Sequence, residues 1–309
     1  MLYLDKRYHS LNYELRKTFN TKVIKLSIDG NFTCPNRDGK KSNKGCLFCS
    51  ELGSGEFSGT GNREDSIDLQ INKQIKSYED KWPNAKYLAY FQNFTNTYDT
   101  ITNLKTLYYK ALNNNNISGI VIATRVDELS DNVIKLLSEI NKTHFLWVEI
   151  GLQTKFNKTH KLLRTMYTKE DFLRSYKLLK ANNIKTVVHL IANLPTENKK
   201  MFLESVNFVS KLKPYGIKLH MLNILKKTDL ETYYKIHPFE FMSKDDYINL
   251  ICDSLEILHP SISIHRITGD GAKDLLIEPK WILNKRYILN GVDKELAKRD
   301  SYQGKYYKD

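Results

Sequence analysis

Short runs of β-branched and aromatic residues alternate along the chain with longer stretches in which apolar positions recur every three or four residues. The runs are Lys22 to Ile28, Tyr87 to Phe91, Gly119 to Ala123, Phe145 to Ile150, Thr186 to Ile191 and Ile217 to Leu222. Between them lie amphipathic stretches: Ser66 to Tyr78, Leu104 to Leu112, Asp131 to Ile140, Lys169 to Lys180 and Met201 to Leu212. Short buried runs read as strands, and the longer 3.6-period stretches as helices. Six strand–helix units spaced by roughly 30 residues require right-handed crossovers and a parallel sheet, either an open barrel or a doubly wound fold. Polar residues at the strand ends favour the barrel, whose chemistry sits at the C-terminal ends of its strands. Beyond the sixth strand the pattern weakens to a helix over Lys244 to Leu258 and a short strand over Ser261 to Ile267. The expected architecture is α/β, a partial (β/α)6 barrel over residues 1–260 with a basic C-terminal extension over 261–309.

A chain of 309 residues is long enough to bury a full core. No window approaches the roughly 18 consecutive apolar residues that a membrane helix needs. The opening Met-Leu-Tyr-Leu-Asp-Lys-Arg lacks the apolar core of a signal peptide, so the expected compartment is the cytoplasm. The chain carries 48 Lys and Arg against 35 Asp and Glu, a net +13, which favours polyanionic partners, nucleic acid first among them. A genome biased toward lysine would produce the same excess.

Three of the four cysteines, Cys34, Cys46 and Cys49, fall in one loop directly after the first strand. The fourth, Cys252, lies in an apolar helical pattern and reads as a core residue. An odd group of thiols in a reducing compartment points to metal rather than disulfides. Structural zinc normally closes a set of four ligands, and no fourth Cys or His sits at finger spacing. Three thiolates suit a four-iron cluster, whose fourth iron stays open to a small chelating molecule.

The order strand, Cys34-Pro35-Asn36-Arg37-Asp38-Gly39, then Gly45-Cys46-Leu47-Phe48-Cys49 resembles the radical S-adenosylmethionine (SAM) superfamily. The long first gap resembles its branch related to the Elongator catalytic subunit, and within it the small bacterial YhcC/YtqA-type proteins. Tyr90 to Tyr98, Thr124 to Asp127, Val148 to Thr154, Lys218 to Leu222 and Ile264 to Leu276 resemble the same branch, so the likeness spans nearly the whole chain. The chain departs from the pattern at Val126 and Glu128, where Pro and Cys are expected, and at Asn193 to Glu197, which replaces a Gly-Leu-Pro-Gly-Glu-like turn.

The resemblance implies a 4Fe-4S cluster on Cys34, Cys46 and Cys49, and SAM bound across the strand ends. Gln92 and Asn93 stand where the family accepts the methionine ammonium. Glu149 and Gln153 are placed for the ribose hydroxyls, Phe48 for the adenine edge, and Arg164, one place early in its motif, for the carboxylate. His189 and His220 end the fifth and sixth strands and aim hydrogen-bonding or proton-transferring groups at the same mouth; Asp270, in a Gly-Asp-Gly turn, would orient sugar or base. The glycine-rich segment Gly53 to Gly61 lacks the ending of a phosphate-binding loop and reads as a mobile cover. Lys226 and Lys227 are candidates for substrate phosphate. Lys294, Lys298 and Arg299, in a tail with Tyr302, Tyr306 and Tyr307, are candidates for tracking an RNA backbone. The implied activity is radical-based modification of the C5 side chain of tRNA wobble uridine. The anticodon loop would be the substrate, and a flavodoxin or ferredoxin the electron donor. Two alternatives remain: a radical SAM enzyme for a small molecule or peptide, and a non-catalytic zinc-containing RNA-binding protein.

Overall fold

The computed structural model describes residues 3–269 and 271–308. Its centre is one parallel sheet of seven strands in the order β1-β2-β3-β4-β5-β6-β8. The strands are β1 (Val23–Ile28), β2 (Lys86–Phe91), β3 (Ile117–Thr124), β4 (Phe145–Gln153), β5 (Lys185–Ala192), β6 (Gly216–Met221) and β8 (Ser263–Arg266), curled into a half-barrel. The two-residue β7 (Ile224–Leu225) pairs antiparallel with β9 (Leu276–Glu278) at the sheet's C-terminal end.

All six predicted strands form where the apolar runs place them. The difference lies at the end of the chain: β8 hydrogen-bonds to β6 as a seventh strand, so the boundary expected at residue 260 falls within one continuous sheet. Ile262 and Ile264 supply buried apolar surface to the main core, which is why this short run joins it.

The crossover helices are α2 (Ile67–Lys76), α3 (Ile101–Leu112), α4 (Asp131–Thr143), α6 (Lys169–Ala181) and α7 (Lys199–Leu212). Each starts where a Ser, Thr or Asn side chain accepts an otherwise unpaired backbone N–H: Ser66, Thr100, Ser130, Thr168 and Asn198. Four further α-helices complete the chain together with α9 (Lys244–Ile257): α1 (Leu11–Phe19), α5 (Asn157–Leu163), α8 (Asp229–Ile236) and α10 (Lys285–Lys298). Among the described residues no helix is long and apolar enough to cross a membrane.

Strand side chains alternate between two faces. On β4, Leu146, Val148, Ile150 and Leu152 pack under the helices, whereas Trp147 faces the lumen with Val23, Leu88, Val121 and Val187. Leu15 of α1 joins that lumenal layer, with Leu11 and Phe19 beside it, and the Ile264 N–H donates to the His9 carbonyl at 2.7 Å. The segment leading into α1 thus closes the N-terminal end of the barrel. Its C-terminal end is the mouth.

Candidate active site

The thiol loop is fixed by its own backbone. The N–H groups of Arg37 and Asp38 turn back onto the Cys34 carbonyl at 2.8 and 3.1 Å, and that of Cys49 onto Cys46 at 3.0 Å. Leu47 bonds outward at both ends, its N–H to the Leu163 carbonyl and its own carbonyl to the Leu230 N–H, which docks the loop against α5 and α8. The Arg37 guanidinium donates to the carbonyls of Cys49 and Ser50. Asn36, fully buried, donates to the Arg164 carbonyl at 2.8 Å and points the same amide at Cys46 Sγ, 3.3 Å away.

Cys34, Cys46 and Cys49 are half-buried free thiols, whereas Cys252 is buried in the core beneath α10. Burial pushes the Cys46 thiol up against the opposing pull of Arg125 and Asn36. Burial and the neighbouring Cys46 push Cys49 up to about 12, against Arg37. Cys46 feels the charge of Cys34, and Cys49 that of both Cys46 and Cys34, so the three share one electrostatic site. Among the described residues no three His, Cys, Asp or Glu side chains stand at the spacing of a single ion, these thiols included. A donor set of three soft thiols fits iron and sulfur.

Buried polar atoms without partners gather around the same mouth: Asn36 Oδ1, Asn93 Oδ1, Thr95 Oγ1, Asn96 Oδ1, Arg37 Nε, Arg164 Nε, His220 Nε2 and Asn223 Oδ1. Buried polar groups in folded proteins are nearly always satisfied, so a concentration of open ones at the strand ends marks where a polar ligand belongs. Asn93 is 2% exposed with its carbonyl oxygen open, as an acceptor for an ammonium should be. Gln92 is engaged elsewhere: its Oε1 accepts from Ser27 Oγ and its Nε2 donates to the Ser54 carbonyl, both at 3.2 Å.

That bond ties the glycine-rich segment to the residue that follows β2. Gly59 N–H also donates to the Ser27 carbonyl at 2.8 Å, and a Cβ on Gly53, whose φ is +62°, would stand 2.6 Å from the Phe94 ring. The segment is held against β1 and the residues just past β2.

Glu149 also requires a correction. Its carboxylate is completely buried inside the barrel and accepts from Trp147 Nε1 at 3.0 Å, Tyr90 OH at 2.7 Å, His189 Nε2 at 3.0 Å and Lys218 Nζ, with Lys25 Nζ at 4.0 Å. Burial alone would raise its pKa, but Lys218, Lys25 and His189 outweigh it and hold the carboxyl well below the usual carboxylate range. An ionised carboxylate so enclosed is not available to ribose hydroxyls. Gln153, next but one on the lumenal face and nearer the mouth, is half-exposed with φ +63° at a register shift in the β4–β5 pairing.

Arg164 takes the left-handed conformation that ends α5, and its guanidinium pairs with Asp229 of α8 while Nε stays open. Phe48 is half-exposed in an apolar cluster with Leu47, Ile191 and Leu230. His189 and His220 lie side by side, ring centroids 5.2 Å apart, and burial pushes both down, His189 to about 4. Asp270 lies outside the described residues.

Of the cationic candidates, Lys226, Lys227, Lys294 and Lys298 are exposed, Lys298 with Glu295 at 3.8 Å. Arg299 is not a free cation: its guanidinium donates to Glu295 at 2.8 Å, Asp253 at 2.7 Å and Asn249 at 2.8 Å, tying α10 to α9. Its planar fork is used up inside the protein.

Lys218 and Tyr90 are the residues that sequence reasoning missed. The signal was present in Ile217-Lys218-Leu219-His220, where strand alternation puts the lysine on the same lumenal face as the histidine.

The Radical SAM superfamily pattern matches residues 39–209, more than half of the chain, and the Radical SAM C-terminal domain pattern matches 214–298. The chain belongs to the radical SAM superfamily. This radical SAM protein is 42% identical over 303 residues to the uncharacterized protein YtqA of Bacillus subtilis, covering 98% of this chain and 94% of that one. It is 29% identical over 283 residues to the protein YhcC of Escherichia coli K12, covering 91% and 90%. In fold it resembles the archaeal Methanocaldococcus infernus Elp3, with a TM-score of 0.67 at 16% identity, covering 92% of this chain and 64% of that chain. Radical SAM proteins use a 4Fe-4S cluster and SAM, and Cys34, Cys46 and Cys49 are the free thiols that share the loop after β1.

Proposed function

We propose that this radical SAM enzyme modifies the C5 side chain of the wobble uridine of tRNA. The concrete version is removal of the carboxymethyl part of a 5-carboxymethylaminomethyl group, leaving 5-aminomethyl-uridine. The motifs shared with the Elongator-related branch suggest the substrate class, and the fold's likeness to Elp3 agrees with it. The observation that carries the reading is the exposed cations at the mouth: Lys40 and Lys44 on the thiol loop, and Lys226 and Lys227 just before α8, whose first turn docks on that loop. A site framed this way meets a phosphate backbone before it meets a base.

When bound, the reduced cluster and SAM supply a radical able to take a hydrogen atom from an otherwise unreactive carbon. The chain's own residues do the rest. Asn93 offers an open acceptor to the methionine ammonium, and Gln153 is placed for the ribose. Phe48 and Ile191 exclude water beside the thiols. His189 and His220 face the substrate, and the mouth cations hold the anticodon backbone. The electron donor is an acidic partner of the flavodoxin or ferredoxin kind, and the compartment is the cytoplasm.

Nucleoside analysis of tRNA from cells lacking the gene tests the reading: the carboxymethylated wobble nucleoside should accumulate and its aminomethyl counterpart disappear. In vitro, an anticodon stem-loop should compete with whole tRNA, and a duplex of equal charge should compete poorly, because the base must leave its stack. Unchanged wobble nucleosides would move the assignment to a small molecule or peptide.

A further inference from the structure

One strand-alternation step below Ile191, which packs with Leu47 of the thiol loop, His189 Nε2 stands 3.0 Å from Glu149 Oε2. An ionised carboxylate has only acceptors, so the hydrogen in that contact sits on His189 Nε2. In a neutral imidazole the other nitrogen is then a bare acceptor. His189 Nδ1 has no hydrogen-bond partner among the described residues, and the side chain keeps 20% of its surface exposed toward the lumen. His220 Nε2, on the adjacent strand, is buried and also without a partner.

We propose that Glu149 is a positioning residue that locks His189 in the Nε2–H tautomer, so that His189 Nδ1 accepts a hydrogen bond from a neutral imide N–H of the substrate. The charged and titratable groups around the pair select a neutral donor. Lys25 from β1, Lys218 from β6 and Arg266 from β8 all bear on it, while Tyr90 from β2 and His265 from β8 contribute no negative charge. A second ammonium in that position would be repelled. An imide edge, N–H beside C=O, is the edge a uracil ring presents, and this choice of ligand rests on the tRNA reading. The tautomer lock does not.

Imidazole nitrogen NMR on the full chain labelled in histidine tests the lock directly, with the His189 signals assigned by their loss in His189→Gln. At pH 7.5 His189 should show a protonated Nε2 and an unprotonated Nδ1; an Nδ1–H tautomer or an imidazolium would overturn it. In Glu149→Gln, whose amide can donate as well as accept, the single tautomer should give way to a mixture, with the thermal transition checked to show a folded chain. Adding an anticodon stem-loop should shift His189 Nδ1. The same stem-loop carrying N3-methyluridine at the wobble position should bind about tenfold more weakly without that shift, having lost one buried hydrogen bond. Equal shifts from both RNAs, or RNA binding that leaves His189 unmoved, overturns the imide assignment. If neither stem-loop binds, the tRNA reading falls and the imide ligand with it, while the lock is judged by the protein's own spectrum.

Discussion

Asn36 Nδ2 holds the Arg164 carbonyl at 2.8 Å and Cys46 Sγ at 3.3 Å with one amide group, so the thiol loop and the end of α5 share a single buried donor. A hydrogen bond to a ligating sulfur stabilises the reduced state of a cluster. Asn36→Ala should therefore still load iron but lower the cluster's reduction potential, measured by redox titration followed in the visible spectrum. An unchanged potential would show that the contact does not persist with the cluster in place.

Anaerobic reconstitution should load about four irons per chain. Cys34→Ala, Cys46→Ala and Cys49→Ala should each lose SAM cleavage, because one iron loses its anchor. Cys252→Ala should keep it, since that thiol lies in the core beneath α10. Stoichiometric zinc in a fully active preparation would contradict the assignment.

Glu149 and Lys218 form an ion pair whose side chains are 0% and 3% exposed. Removing one partner of such a pair typically costs about 3 to 5 kcal/mol because the other is left buried and uncompensated. Lys218→Met alone should destabilise by about that much, and Glu149→Met with Lys218→Met should cost less than the sum of the single changes. Additive denaturation midpoints would mean that water reaches the pair.

The strands and crossover helices were legible because burial on both faces demands continuous apolar runs, and helices packed on a sheet demand a 3.6-residue stripe. The thiol loop was legible because its spacing carries its chemistry. Glu149 misled because a carboxylate near a strand end has the same local sequence whether it faces the mouth or lies one layer deeper, and only the positions of Tyr90 and Lys218, on other strands, decide which. Arg299 misled in the same way. A basic tail reads as exposed until Asp253, Glu256 and Asn249 of α9 are found to face it.

That clamp makes Arg299 a stability residue. Arg299→Ala should lower stability by about 1 to 3 kcal/mol, the range for hydrogen bonds to charged groups, and leave RNA affinity unchanged when measured well below the melting temperature. Lys226→Glu with Lys227→Glu should do the reverse, weakening RNA binding and flattening its salt dependence.

Acid should loosen the barrel before its carboxylates titrate. His189 is held down at about 4 by burial and Lys218, against Glu149, and burial holds His220 and His265 well below their ordinary value. Between the unfolded imidazole value near 6.5 and about pH 4 the unfolded chain binds protons that the folded chain refuses, so stability falls as pH drops through that window. Denaturation midpoints at pH 7.5 and 4.5 measure the loss, and His265→Gln should reduce it. An equal midpoint at both values would mean that these rings titrate freely in the folded protein.

The layer of Leu15, Trp147, Val121 and Val187 seals the far end of the barrel. A vessel with one opening imposes a queue. Whatever sits deepest enters first and leaves last, so a base held at His189, below Asn93 and Gln153, should be in place before SAM closes over it and should leave only after methionine and deoxyadenosine. Turnover would then be paced by release of the largest molecule in the line.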